Sequence, residues 1–327
     1  MEVSIWFWVG FNAFILAALA LDLGLLGKRA HEIQLREAAI RTGIWVILAM
    51  LFALGIYVVK DSEAALTFLT GYIIEESLSV DNIFVMVVIF SYFKVPPALQ
   101  HRVLFWGIIG ALIMRGIFIL VGAWLLHHFS FVIYLFGGLL LVTGIRMAVK
   151  QEKEFDGEDN PVVKLFRRVM PISPGFDGKK FFTTLNGRRA ATPLLLVLVL
   201  VEVTDLIFAV DSIPAIFAVT QDTFLVYTSN VFAILGLRSM YFLLAGVVDK
   251  FRFLRFGLAF ILSFVGIKMI LADHVHIPTL VSLAVVVGGL AASIALSLLI
   301  PEKEEEGAQR ESSDTERRQP VQSNHTR

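Results

Sequence analysis

The sequence predicts an all-α polytopic membrane protein of about nine transmembrane helices, and two observations carry that expectation. Of its 327 residues, 57% are hydrophobic and 17% charged, whereas a soluble domain is about 45–50% apolar and about 25% charged. The apolar residues also gather into runs of about 20 or more, the length that crosses a bilayer core. The runs lie near 3–27, 42–60, 65–93, 103–126, 130–149, 191–220, 225–248, 253–273 and 277–300. A formal net charge of zero says nothing about partners, because the charges are segregated along the chain. The lipid bilayer is the expected partner and nucleic acid is not. Cysteine is absent, which removes disulfides, iron–sulfur clusters and thiolate metal sites and speaks against thiol redox chemistry.

Taken in order, the first run follows Met1-Glu2-Val3-Ser4. That start lacks the basic region of a signal peptide and the run is too long for one, so it reads as a retained span. Basic residues then alternate between connections. The first connection carries Lys28, Arg29, Arg36 and Arg41, the third Lys94 and Arg102, the fifth a basic series from Lys150 to Arg189, and the seventh Lys250, Arg252 and Arg255. The even-numbered connections hold Lys60, His127-His128, Gln221-Asp222 and Asp273-His274-Val275-His276. The positive-inside rule puts the N-terminus outside and the C-terminus in the cytoplasm. Residues 150–190 form a cytosolic insertion, in which Asn186-Gly187, flanked by Phe181 to Leu185 and Arg188 to Thr192, signals a type I′ hairpin. Residues 301–327 are charged and short of apolar side chains, and disorder is the expected state.

The third run encloses an acidic knot, Glu75-Glu76-Ser77-Leu78-Ser79-Val80-Asp81-Asn82. Carboxylates at membrane depth are expensive and mark function by default. The knot has an echo. Val80-Asp81-Asn82-Ile83 returns as Val210-Asp211-Ser212-Ile213, and Glu75 returns as Asp205. Arg115 and Arg238 are mid-run in the fourth and seventh helices, and Gly144-Ile145-Arg146-Met147 returns as Gly266-Ile267-Lys268-Met269. Helices 3–5 (65–149) and 6–8 (191–273) therefore read as a three-helix unit repeated in opposite orientation. Secondary transporters are built this way, with the substrate site near midplane at the repeat interface.

Glu75 and Asp81 are about 120° apart on an unbroken helix, so facing one point requires unwinding between them. Ser77, Ser79 and Asn82 supply polar partners there, and Pro214 weakens the matching place in the echo. Two interrupted helices are expected, their carboxylates and freed carbonyls forming an oxygen-lined cage. Glu202 and Asp205 share a face one turn apart. With Asp22 and Glu76, the acids in or near the hydrocarbon layer far outnumber Arg115 and Arg238, which implies protons, bound cations or a water-filled cavity. The blander possibilities are that the acids and the two arginines merely pair as structural glue, that Asp22 only snorkels or packs helices, and that Glu76 points away from Glu75. Histidines at the run ends read as solvated, or as a weak metal-gathering vestibule on the outer side. Carboxylate, carbonyl and hydroxyl oxygens suit Mg, Ca or Mn, so a hard divalent cation is the inferred cargo.

The acidic knot, Phe90-Ser91-Tyr92-Phe93 with Val95-Pro96, Glu202 through Ala215, and Ser229-Asn230-Val231 through Arg238 together resemble the TerC family, and the match is close to its Alx-type members. The resemblance covers nearly the whole chain to about residue 300. It implies a bacterial inner-membrane protein that exports manganese, with Glu75, Asp81, Glu202, Asp205 and Asp211 as the metal site and Asn82, Ser79, Ser212, Glu76, Asp22, Arg115 and Arg238 in secondary or gating roles. No permanently bound cofactor is expected, protons are a candidate counter-ion, and the chain is not expected to be an enzyme. Glu76 departs from a lysine found in some members. The rivals are a membrane scaffold that supplies metal to secreted proteins or the export machinery, and an intramembrane aspartyl hydrolase with Asp81 and Asp211 as its acids. The family is named for tellurium resistance, but tellurite transport fits least, because the site is too acidic for an oxyanion.

Overall fold

A computed structural model describes residues 4–26, 35–149, 160–185, 187–245, 253–275 and 277–299, with the backbone alone for 21–26. Asp22 is thus placed on its helix without a described side chain. Lys28, Arg29, Lys150, Asn186, Lys250, Arg252, His276 and the tail 301–327 lie outside the described residues. The elements run α1 (Ile5–Leu26), α2 (Leu35–Val59), α3 (Ser62–Tyr92), α4 (Pro97–His128), α5 (Val132–Val149), α6 (Pro161–Val169), β1 (Phe182–Leu185), β2 (Arg188–Ala191), α7 (Pro193–Phe217), α8 (Thr223–Leu244), α9 (Leu254–Ile270) and α10 (Thr279–Leu299). Among the described residues, every helix except α6 lies on one of the apolar runs.

By length and composition α2, α4, α5, α7 and α10 are apolar enough to cross a membrane. α3 carries Glu63, Glu75, Glu76 and Asp81, too many charges for that criterion. Leu120 and Val142 stand 59% and 63% exposed on the bundle's flank, a placement that water disfavours and lipid accommodates.

The expected helix interruptions are absent: α3 and α7 are continuous through their acidic segments. In α3 the Ser77 hydroxyl donates back to the Ile73 carbonyl, and Thr70 does the same to Leu66 at 2.7 Å. The hydroxyls thus bond inside the helix rather than replacing its ladder. Pro214 falls in the last turn of α7, where its missing N–H removes a single bond near an end that is about to stop anyway. Ala218 N–H still reaches the Pro214 carbonyl at 3.0 Å.

α3, α4, α7 and α8 pack together at the centre, with α2 laid on α3 and α8 and α10 on α3 and α9. α1 is held by rings: Trp8 lies 5.2 Å from Phe224, and Phe11 5.9 Å from Phe232. Contacts between connections sort into two ends. Lys60 pairs with Asp222 at 2.9 Å, and Tyr134 donates to Asp273 at 2.5 Å, joining even-numbered connections at one end. At the other end Arg102 stacks over Phe181 at 5.0 Å, and Phe253 N–H reaches Ser297 at 3.0 Å.

The insertion contains more than the hairpin expected. Phe182 to Leu185 pairs antiparallel with Arg188 to Ala191, and Gly187 takes the positive φ of 77° that a two-residue hairpin turn requires. Thr183 and Lys180 beside Asp177 hold its carboxyl below the ordinary value. α6 was not expected. Asn160 caps it by accepting from Val162 N–H at 2.9 Å, and Pro161 occupies its first turn.

α5 and α9 cross almost backbone to backbone. A Cβ added at Gly266 would fall 2.8 Å from the Gly137 carbonyl oxygen, and one at Gly144 2.8 Å from the Ala259 carbonyl oxygen. Gly266→Val must therefore push the helices apart. It should cost about 1–3 kcal/mol, in the range of overpacked cores. Gly138→Ala, with nothing within 4 Å, should leave the melting temperature in detergent unchanged or slightly raised.

Candidate functional site

Arg115 projects from the middle of α4 and is 2% exposed. Its guanidinium is held on every side. Nη1 pairs with Glu75 of α3. Nη2 donates to Asp205 Oδ1 of α7 at 2.9 Å and Nε donates to Oδ2 at 3.3 Å, a bidentate grip. Nη1 also donates to Ser212 Oγ and Asn230 Oδ1, each at 3.3 Å. Asn82 Nδ2 donates to Asp205 Oδ1 at 3.2 Å. The planar fork of arginine suits this geometry where the point charge of lysine does not. Glu75 is fully buried and Asp205 4% exposed, so both carboxylates depend on Arg115 for compensation.

Asp81, Asp211 and Glu202 stand around this clamp in two small cavities. Asp81, Asn82, Arg115, Asp211 and Ser212 line one of about 40 Å³, enough for a water or a bare ion. Thr143 of α5 donates to Asp211 Oδ1 at 3.0 Å, and the Oδ1 of Asn82 is buried with no protein partner. Glu202, Asp205, Gly107 and Arg238 line the other, of about 10 Å³. The Glu202 carboxylate lies directly on Gly110 of α4, where any Cβ would collide with it. Glu202 and Asp205 thus share a face as their spacing dictates, and Asp205 borders both the clamp and the second cavity.

The unbroken helix explains this division. Glu75 and Asp81 cannot meet, and Arg115, which pairs with Glu75, also borders the Asp81 cavity. Among the described residues no three Asp, Glu or His side chains converge as ligands of one ion. Glu76 is about 100° around α3 from Glu75, accepting from the Tyr72 hydroxyl at 2.8 Å and standing against Gly236 of α8. Ser79 is buried in α3. Arg238 donates to His101 Nδ1 at 3.2 Å. His101 is therefore not the solvated histidine its place at a run end suggested: its ring also packs 4.4 Å from Phe242.

Sequence reasoning passed over Asn230 and Thr143 as site residues. Asn230 sits in the polar triplet Thr228-Ser229-Asn230 inside an apolar helix, and Thr143 is a lone polar residue one turn before Arg146. Both signals were readable.

A lipid-facing helical bundle with an arginine clamped between carboxylates at its core is an integral membrane protein with a buried polar centre. The chain belongs to the TerC family: the model described as integral membrane protein TerC family matches residues 60–305. It is 53% identical over 292 residues to an uncharacterized membrane protein of Myxococcus xanthus, covering 89% of this chain and 92% of that one. It is 50% identical over 299 residues to the Escherichia coli K12 protein named "Putative membrane-bound redox modulator Alx", covering 89% and 93%. An uncharacterized membrane protein of Rickettsia bellii is 38% identical over 292 residues, covering 89% and 97%. No solved structure matches the chain.

Arg115→Met leaves Glu75 and Asp205 buried without their cation. Breaking such a pair costs about 3–5 kcal/mol, which unfolding in detergent would read as a loss of stability. Adding Glu75→Gln and Asp205→Asn to the same variant should restore most of it.

Proposed function

We propose that the chain is a secondary transporter that carries a hard divalent cation, Mn²⁺, out of the cytoplasm by alternating access. The observation that carries this reading is the meeting of Asp81 and Asp211 in one cavity beside Arg115. They occupy equivalent places in two echoing segments, as expected of a substrate site at a repeat interface. Asp81, Asp211 and the unpartnered Asn82 oxygen offer the hard ligands such an ion takes. Glu75, Asp205 and Glu202 hold further charge within reach, and Arg115 neutralises part of it between transport events. Manganese itself comes from the family resemblance.

The architecture is consistent with the inverted repeat. Aligning Gly144-Ile145-Arg146-Met147 on Gly266-Ile267-Lys268-Met269 makes Gly137 the counterpart of Ala259. The contact of Gly144 with Ala259 is then the mirror of that of Gly266 with Gly137, the reciprocity of a two-fold interface. Nine spans, with the even-numbered connections outside and the basic ones in the cytoplasm of a bacterial inner membrane, complete the reading. A redox role like that in the Escherichia coli relative's name would not use thiols of this chain, which has no cysteine.

Expression in a manganese-export-deficient strain tests the assignment. The parent should lower cellular manganese, and Asp81→Asn or Asp211→Asn should return it to the level of the deletion strain. Manganese lowered as far by both variants as by the parent removes the site, and the absence of metal flux in proteoliposomes removes the transport reading in favour of a scaffold.

A further inference from the structure

The apolar arc of α6 is wider than the bundle covers. At about 100° per residue, Val162, Val163 and Phe166 turn toward the bundle end and pack into the cluster that includes Leu99, Leu194 and Leu196. Val163 is 1% exposed. Leu165 and Val169, one turn apart, extend the same arc sideways and stand 62% and 77% exposed. Lys164 and Arg168, also one turn apart and exposed, border them on the far side, with Arg167 beyond. The hairpin adds exposed Arg188 and Arg189, the latter 4.5 Å over the half-exposed Phe182 ring. Asp177 is the one acid in residues 160–192, and Glu152, Glu154, Asp156, Glu158 and Asp159 come before them in the insertion.

We infer that α6 is an interfacial helix that seats the insertion on anionic phospholipid, with Leu165 and Val169 in the acyl boundary and Lys164, Arg167 and Arg168 on headgroup phosphates. An amphipathic helix with a basic flank binds a membrane surface in this way, and each basic residue near an anionic leaflet contributes attraction. Position favours it as well. The insertion is fastened to the same bundle end as the basic connections, through Arg102 over Phe181, so its uncovered edge lies beside helix flanks that face lipid. The rival occupants within this chain are two acidic segments, Glu152 to Asp159 just before α6, with Phe155 as its one apolar ring, and Glu302-Lys303-Glu304-Glu305-Glu306. The first offers a single ring against two exposed apolar side chains. The second has the charge but no apolar side chain to cover Leu165 and Val169.

The absence of cysteine makes the test direct. Full-length Leu165→Cys and Val169→Cys, labelled with an environment-sensitive fluorophore, are reconstituted in vesicles of phosphatidylcholine with or without phosphatidylglycerol. Both labels should shift to the blue and be quenched by lipid-borne spin labels, more so with phosphatidylglycerol. Replacing Lys164, Arg167 and Arg168 by Gln should weaken docking by about 100-fold, since one charge is worth about fivefold. The parent's response should fall as salt rises. A label that stays water-exposed in phosphatidylglycerol vesicles overturns the inference. So does a label whose burial disappears when residues 301–327 are deleted, or when Glu152, Glu154, Asp156, Glu158 and Asp159 are replaced by Gln or Asn, either of which would make a segment of the chain the occupant. The readout uses no metal, so it stands apart from the transport reading.

Discussion

The structure depends on the burial of one guanidinium. Arg115 cannot be taken out of water without compensation, and its partners come from α3, α7 and α8. Three helices must therefore meet α4 at one depth and in one rotation. Such a cluster is weak evidence of stability, because a well-packed apolar core of the same volume is often as stable or more so. What a buried ionic cluster offers instead is a polar centre inside lipid, which chains keep for what it binds or moves. The close approach has its own requirement in the glycine at 110, which gives the Glu202 carboxylate room against α4.

Much of the fold was legible. Helix positions followed from apolar run lengths, since the bilayer imposes one length on every crossing. The acids stood out because charge is rare in such runs, and Glu202 and Asp205 landed on one face because three residues make nearly one turn. The missed features have a common cause. The interrupted helices were inferred from a demand that Glu75 and Asp81 face one point, whereas the long side chain of Arg115, on another helix, pairs with one and borders the cavity of the other. No pattern along α3 contains that information. His101 and Asn230 were likewise decided by what lies across the bundle, and α6 was hidden by a short, basic sequence that reads as a solvated connector until its inner face is seen packed.

The family match begins at residue 60, the last residue before the cap of α3, and the polar centre is built wholly from helices within it. α1 and α2 lie before that point. They pack on the outside through rings such as Phe52 on Phe232 at 5.1 Å, and none of their described side chains reaches Arg115. The chain thus divides into a part that forms the ionic core and a part that shields it from lipid.

The crossing of α5 and α9 has a mechanical consequence. Interlocked side chains resist both separation and shear, as gear teeth do. This junction combines close main chain with two shallow notches, since Ser263 seats over Gly144 and Ile270 over Gly137. Any sliding of α5 along α9 must lift those two side chains out of their notches, so the glycines fix the register of the seam as well as its closeness.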